Sequence, residues 1–151
     1  MTRRAFSIVE VVVVLGFVSL VGMAGVARLQ GAVVASWRCR WAMQEVVTTL
    51  RVMRFRAQHE TRAYVLRIAP SDRRLEVVAM DRNPAYGGTL VRTLWLPEEL
   101  VLMAGPEAVT ALPSGQFVPA TVTARAPASE LVFRVQMTAE GTVQLHEQPA
   151  T

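Results

Sequence analysis

The chain has 151 residues, a length that allows one domain, or one small domain with an appendage. Hydrophobic residues make up 52% of it, which excludes a mainly disordered chain because the apolar surface is ample to offset the entropy of ordering. The single cysteine, Cys39, excludes an intrachain disulfide framework. The formal net charge is +4, and every basic residue that contributes to it is arginine, since the chain has no lysine.

The N-terminal part of the chain carries an apolar segment, residues 6–27, with Glu10 as its one charge. A helix of this length rises roughly 33 Å, enough to cross the hydrocarbon core of a bilayer. Arg3 and Arg4 precede the segment and no basic residue follows before Arg28, so the positive-inside rule places the N-terminus in the cytoplasm. We therefore predict a single-pass transmembrane helix over 6–27, with the remaining chain outside the cytoplasm.

Three kinds of segment share this composition: a cleaved signal peptide, a plain membrane anchor and a prepilin leader with its helix. Residues 25–27 are small enough to serve as a signal-peptidase site. Glu10 separates the three possibilities, because an acid inside an apolar segment is costly and marks a functional position with a partner of its own.

The residues around Glu10 read Arg-Arg-Ala-Phe-Ser-Ile-Val-Glu from position 3, and valines and leucine follow. This segment resembles the N-terminus of type IV pilins and type II secretion pseudopilins, which have a basic leader, a small residue, a phenylalanine and glutamate as the fifth mature residue. The resemblance implies that prepilin peptidase removes residues 1–5, cutting between Ala5 and Phe6, and methylates the new amine of Phe6. Alanine stands at position 5 where the family most often has glycine.

The same resemblance implies an assembly role for Glu10. The new N-terminus of Phe6 is a cation at neutral pH, and an unpaired charge in an apolar helix bundle is very costly. The Glu10 carboxylate of the same or a neighbouring subunit would compensate that charge and set the register of an incoming subunit.

The helix is predicted to continue to about His59, with an amphipathic second part over 28–60. No proline occurs before Pro70, and one apolar stripe recurs at spacings of three and four. The stripe predicted to pack on a sheet consists of Cys39, Met43, Val46, Leu50, Met53 and Ala57. Trp37 and Trp41, one turn apart, are consistent with membrane-interface anchors, with contacts to neighbouring subunits and with core packing.

Alternation of apolar and polar residues replaces the helical pattern from Arg62 onward, which predicts a periplasmic β domain over 61–151. Hairpins are predicted around Pro70 and, at the C-terminal end, around Gly141, and the segment 104–113 is predicted to be irregular. The predicted strands are 64–68, 75–79, 90–96, 100–103, 118–124, 130–138 and 142–146. The fold class is α+β: a pilin-like long helix, its first half in the membrane, packed on an antiparallel sheet of about six or seven strands.

The order of these elements, with a D-x-N loop at Asp81 and a P-x-G turn ending at Gly115, resembles minor pseudopilins of the GspH/FimT group. This implies a structural subunit of a type II secretion pseudopilus, or of a related type IV pilus, that supports protein secretion. The implied partners are other pseudopilins or pilins of the filament, prepilin peptidase, the inner-membrane assembly platform and membrane lipid. The implied location is the bacterial inner membrane, and the filament after assembly.

Residues suited to catalysis are sparse. His59 and His146 have no ligand spacing with Cys39, and Glu98-Glu99 reads as a loop rather than an acid/base pair. We expect no enzyme, no cofactor and no metal site.

Four arginines near the helix end could contact DNA or another subunit: Arg51, Arg54, Arg56 and Arg62. Without residues 1–5 the side-chain charge falls from +4 to about +2, a weak electrostatic footprint for nucleic acid. The turn at Gly141 also lacks the arginines that DNA-binding members of the group carry. Nucleic acid is therefore not an expected partner. Two alternatives stay open: a minor pilin that binds DNA during natural transformation, and an ordinary signal-anchored extracytoplasmic β domain.

Overall fold

The computed structural model describes residues 8–81, 87–103, 105–127 and 130–150. Ala5 and Phe6 lie outside the described residues, and Glu10 is described in its backbone alone. Cleavage after Ala5, methylation of Phe6 and the charge pairing of Glu10 therefore stay predictions.

The helix, α1, spans Ile8–Glu60. It ends where Thr61 adopts a positive φ of 51°, a left-handed conformation that breaks the helical hydrogen-bond series. The predicted end near His59 agrees with this boundary. The chain divides into two compact units, Met1–Val34 and Ala35–Thr151, and the division falls within α1.

In the first unit, the helix exposes its aliphatic side chains. The large apolar side chains described between Val9 and Val26 range from 46% exposed at Val11 to 74% exposed at Met23. Contiguous apolar exposure on this scale marks a surface that another molecule or a lipid covers. Among the residues described, no helix meets the combined length and hydropathy of a candidate membrane span. The transmembrane segment 6–27 therefore stays a prediction.

The second unit carries two antiparallel sheets, which corrects the single sheet of six or seven strands expected from the sequence. Eight strands lie in the described part of the chain: β1 Tyr64–Ala69, β2 Arg74–Met80, β3 Gly88–Trp95, β4 Val101–Leu102, β5 Ala108–Ala111, β6 Ala120–Ala126, β7 Leu131–Met137 and β8 Val143–Pro149. The strand orders are β3-β2-β1-β5 and β4-β6-β7-β8.

The additional strand, β5, lies in the segment predicted to be irregular. It pairs with β1, with Ala111 opposite Tyr64 and Val109 opposite Leu66. The four residues of β5 are too few to show a period-two pattern, so tertiary pairing with β1 decides their conformation.

The two predicted hairpins are present. β1 and β2 pair from Tyr64↔Ala79 to Ala69↔Arg74, around a single 3-10 turn at Pro70–Asp72. β7 and β8 pair from Met137↔Val143 to Leu131↔Pro149.

The predicted helical stripe is the helix's contribution to the core. All six of its side chains are 0–2% exposed: Cys39, Met43, Val46, Leu50, Met53 and Ala57. They belong to one hydrophobic cluster with residues of both sheets, among them Leu66 of β1 and Phe133 of β7. The sheets are therefore held together through a shared core that includes the helix, since burial of such side chains is worth roughly 1.5–3 kcal/mol each.

Candidate assembly surface

The face of α1 directed away from this core carries four large apolar side chains that are exposed, with the polar Gln44 and Thr48 between them. Trp37 is 61% exposed, Trp41 74%, Val52 45% and Phe55 59%. At about 100° per residue these four side chains fall within an arc of roughly 60°, on the side opposite the buried stripe. We call these four residues the outward stripe.

Exposure of the two tryptophans settles one of the alternatives left open by the sequence. Trp37 and Trp41 do not pack in the core of their own chain. Val52 and Phe55 extend the same face by four turns, and the sequence analysis missed them. The residues that link Trp41 to Val52 at helical spacing, Gln44 and Thr48, are polar, so no continuous apolar period pointed to this face.

An aromatic contact and flanking ion pairs frame the outward stripe. The His59 ring lies on Phe55 with centroids 3.8 Å apart. On the helix flanks, Arg40 pairs with Glu147 of β8 at 2.5 Å and Glu45 pairs with Arg92 of β3 at 2.6 Å. Because the flanking charges are satisfied by the chain's own sheets, they fix the helix on the sheets and leave the apolar stripe facing outward.

Two of the four predicted arginines bind the chain's own terminal hairpin. Arg54 Nη1 donates to the carbonyl oxygen of Gly141 at 2.8 Å, and its Nη2 donates to that of Glu140 at 3.4 Å. Arg51 Nη2 donates a longer bond, 3.5 Å, to the carbonyl oxygen of Val143. These guanidiniums therefore tie the helix to the turn between β7 and β8.

Gln58, four residues after Arg54 on the helix, binds a second loop of the β domain. Gln58 Nε2 donates to the carbonyl oxygen of Ser114 at 3.4 Å, in the turn closed by Gly115. In both turns the glycine N–H donates three residues back, Gly115 to Leu112 at 2.8 Å and Gly141 to Thr138 at 3.0 Å. We call the pair, 112–115 and 138–141, the glycine turns.

Both turns require glycine for conformation and for space. Gly115 has φ +81° and Gly141 has φ +88°, a region that other residues rarely adopt. A Cβ on Gly115 would overlap the Gln58 amide, and one on Gly141 would lie 2.5 Å from Arg54 Cζ. The P-x-G turn noted in the sequence is thus a docking point for the helix end.

The other two arginines lie apart from that junction. Arg62 Nε is 3.5 Å from a Glu60 carboxylate oxygen. Arg56 is exposed, lies near Tyr64, and has no ion-pair partner among the described residues. Two of the four guanidiniums therefore bind their own chain, and the DNA or subunit contact suggested for the set stays a prediction.

Two buried groups have shifted pKa values. Burial raises the pKa of the Tyr64 hydroxyl, and its 2.7 Å hydrogen bond to the Glu60 carboxylate raises it further. Burial also raises the pKa of the Cys39 thiol, with a smaller contribution from Glu99. Both groups are therefore neutral at physiological pH.

The remaining candidates for chemistry are dispersed. Glu98 lies 3.6 Å from Arg73, and Glu99 lies 3.5 Å from Arg38, so each carboxylate has its own cationic neighbour. Within the described ranges, no group of three or more His, Cys, Asp or Glu side chains is placed to hold a metal ion.

Comparison with known proteins identifies the fold. No protein-family profile and no curated protein sequence matches this chain. Two solved structures of the minor pseudopilin EpsH, from the type II secretion system of Vibrio cholerae, match with a TM-score of 0.61 each. One is 20% identical and covers 72% of this chain, the other is 18% identical and covers 76%, and 96% of each EpsH chain is covered. The chain therefore has the pilin-like fold of a minor pseudopilin.

Proposed function

We propose that this chain is a minor pseudopilin, a non-enzymatic structural subunit of a filament that is assembled from the inner membrane and supports type II protein secretion. The observation that carries the proposal is the outward stripe on a helix of pseudopilin-like fold. Trp41 and Phe55 expose apolar area that their own chain leaves uncovered, as expected of a surface that packs against neighbouring subunits.

The first unit supports the same proposal. Its exposed aliphatic side chains, from Val9 to Val26, suit lipid before assembly and neighbouring helices afterwards. Residues 6–27 anchor the precursor in the inner membrane, with the leader 1–5 in the cytoplasm and the β domain in the periplasm.

Assembly then follows from the chemistry of the N-terminus. Prepilin peptidase cuts after Ala5 and methylates Phe6, which leaves a cation at the start of an apolar helix. Glu10 of this or a neighbouring subunit pairs with that cation, and the pair fixes how far each subunit rises when the assembly platform adds it.

The first test is the mass of the mature N-terminal peptide from native membranes. A peptide that begins at N-methylated Phe6 supports the proposal. A peptide that begins at Arg28 would show cleavage by signal peptidase and would contradict it, and an intact leader would point to a plain anchor.

A second test addresses the outward stripe directly. A photo-crosslinking amino acid replaces Trp41 in cells that carry the secretion system, and the matched control replaces Trp95, which is 70% exposed on β3. We expect adducts with other filament subunits from position 41, and their loss in a Glu10→Gln background. Equal adducts from both positions would argue against a specific surface.

A further inference from the structure

The sheet β4-β6-β7-β8 packs one of its faces on the core and leaves the other open to solvent. In β7, Phe133 and Val135 are fully buried, whereas Arg134 between them is exposed. The exposed polar side chains on the solvent side of β6, β7 and β8 are here called the basic face: Arg125, Arg134, Gln136, Gln144, His146 and Gln148.

No carboxylate shares the basic face within these three strands. Their one acid, Glu147, lies opposite the buried Phe133 and therefore belongs to the other side of the sheet. There it is paired with Arg40 of α1. The remaining positions of the basic face are amides and an imidazole, so its two guanidinium charges are not balanced from within the strands.

The strand register brings the two arginines close together. Thr123 of β6 lies opposite Arg134 of β7, and Arg125 is two residues beyond Thr123 on the same side of the sheet. Diagonal neighbours of this kind are separated by roughly 7–8 Å. On the other side of Arg134, His146 of β8 lies directly opposite it. Like charges at such short range are unfavourable in the free chain.

Elsewhere the chain pairs its arginines with acids. Six described arginines have a carboxylate oxygen at 3.6 Å or less: Arg38, Arg40, Arg62, Arg73, Arg74 and Arg92. Arg125 and Arg134 have no such partner in the part of the chain that the structure describes. Carboxylates from another molecule would relieve the repulsion between the two and form strong, charge-assisted hydrogen bonds with both.

The positive charge continues around the edge of β8 into a cleft of about 410 Å³ between β8 and α1. Gln144 and His146 line the cleft from the sheet, and Gln44 and Arg51 line it from the helix. Arg51 donates one long bond, 3.5 Å, to the carbonyl oxygen of Val143, which leaves other N–H groups of its guanidinium available. Among the described residues that line the cleft, none is an acid.

The spacing of the charges indicates what kind of anion fits. In an extended peptide, side chains on one side recur every second residue, at roughly 6–7 Å, close to the separation of the two arginines. The basic face has no Phe, Tyr or Trp on which a base could stack, and its two guanidiniums are a weak footprint for nucleic acid. Both observations favour an acidic protein segment.

We propose that the basic face binds an extended acidic segment of another protein, with carboxylates at alternate positions. Two carboxylates pair with Arg125 and Arg134, and a third enters the cleft toward Arg51. The amides of Gln136 and Gln144 bind the backbone of the segment. This surface is separate from the outward stripe, so the inference does not depend on the proposed function.

The test titrates the full chain, in a non-ionic detergent and at fixed pH, with the capped peptide ETETETT. Its controls are QTQTQTT, which has no charge, and ETTETTE, which has the same composition but no two acids at alternate positions. A thymidine tetranucleotide, with the same three negative charges, tests for nucleic acid.

Binding is followed through the ring resonances of the chain's two histidines. His146 lies on the basic face, and His59, stacked on Phe55 at the end of α1, is the internal reference. We expect saturable shifts at His146 with a dissociation constant of about 1 mM for ETETETT at low salt. Binding of ETTETTE should be about fivefold weaker, and QTQTQTT should produce no shift.

Exposed arginine variants separate binding from folding. Arg125→Gln and Arg134→Gln should each weaken binding of ETETETT about fivefold. The matched control is Arg67→Gln, an exposed arginine of β1 in the other sheet, which should leave binding unchanged. All three should keep the parent melting temperature, because exposed substitutions change stability little.

Four results would overturn the proposal: absence of binding, equal binding of ETETETT and ETTETTE, tighter binding of the tetranucleotide than of ETETETT, or binding unaffected by substitution of Arg125 and Arg134. Equal binding of the two acidic peptides would reduce the basic face to a non-specific positive surface. Tighter binding of the tetranucleotide would assign it to nucleic acid instead of protein.

Discussion

Arg54 Nη1 donates a 2.8 Å hydrogen bond to the carbonyl oxygen of Gly141, and this bond joins positions 87 residues apart in the chain. The guanidinium lies so close to the turn that a Cβ on Gly141 would be 2.5 Å from both Cζ and Nε. The helix end and the terminal hairpin are thus fitted to each other at one glycine.

Replacement of that glycine should be costly. Gly141→Ala forces alanine into φ +88° and pushes the Arg54 guanidinium away from its carbonyl partners. We expect a loss of about 2–3 kcal/mol in the free energy of unfolding, measured by urea denaturation. Gly87→Ala is the matched control, because Gly87 has φ +75° and nothing within 4 Å of its Cβ position. Equal losses in the two variants would show that crowding by Arg54 and by the Gly115 carbonyl oxygen, also 2.5 Å from that Cβ position, contributes nothing.

The arginines near the helix end should differ in their effect on stability. Arg54→Met removes two hydrogen bonds to carbonyl oxygens of the glycine turn and should cost about 2 kcal/mol. Arg56→Met removes an exposed side chain without a hydrogen-bond partner among the described residues, and should change stability by less than about 0.5 kcal/mol. Thermal unfolding of the two variants side by side checks this. A larger loss of stability in Arg56→Met than in Arg54→Met would contradict the structural role assigned to Arg54.

The sequence predicted the parts of the fold that depend on a repeated local pattern. The stripe from Cys39 to Ala57 is long enough to show its period, and the β1–β2 hairpin has alternating strands around a clear turn. The two-sheet division could not be predicted, because which strands pair across distant parts of the chain leaves no local pattern. Strand β5 could not be predicted either, because it is four residues long and its partner β1 lies about forty positions earlier. Nor could the binding of Arg54 to Gly141, since no local pattern links a helix to a turn so distant in sequence.

The candidate site was likewise predicted only in part from the sequence. The resemblance at Ala5, Phe6 and Glu10 gives predictions that the described residues do not test. The outward stripe, by contrast, needed the structure, because an aromatic residue at helical spacing reads equally well as core. Exposure of Trp41 decided between the two.

Polar substitution of the outward stripe should separate folding from assembly. Trp41→Ser and Phe55→Ser remove side chains that are 74% and 59% exposed, so each should change the free energy of unfolding by less than about 0.5 kcal/mol. Incorporation into the filament, measured by co-isolation with the other subunits, should fall strongly in the double variant. Trp95→Ser is the matched control, since Trp95 is 70% exposed on β3. An equal loss of incorporation in Trp95→Ser would contradict the assignment of the outward stripe as the assembly surface.

Tyr64 should make the folded state sensitive to high pH. Burial and the bond to Glu60 raise the pKa of its hydroxyl above the ordinary value of 10.0, so the folded state retains this proton more tightly than the unfolded state does. The resulting stabilisation is fully present below pH 10 and is lost as the pH rises through the folded-state pKa, by at most about 1.4 kcal/mol per pH unit.

The measurement is the free energy of unfolding between pH 8 and pH 11.5, compared between the parent chain and Tyr64→Phe. A Tyr86→Phe background leaves Tyr64 as the one tyrosine of the sequence, so its ionisation can be followed directly by ultraviolet absorbance. We expect the decline in stability above pH 10 to be smaller in Tyr64→Phe, because phenylalanine has no proton to lose. The same decline in both chains would assign the alkaline sensitivity to other groups and would contradict the coupling between Tyr64 and Glu60.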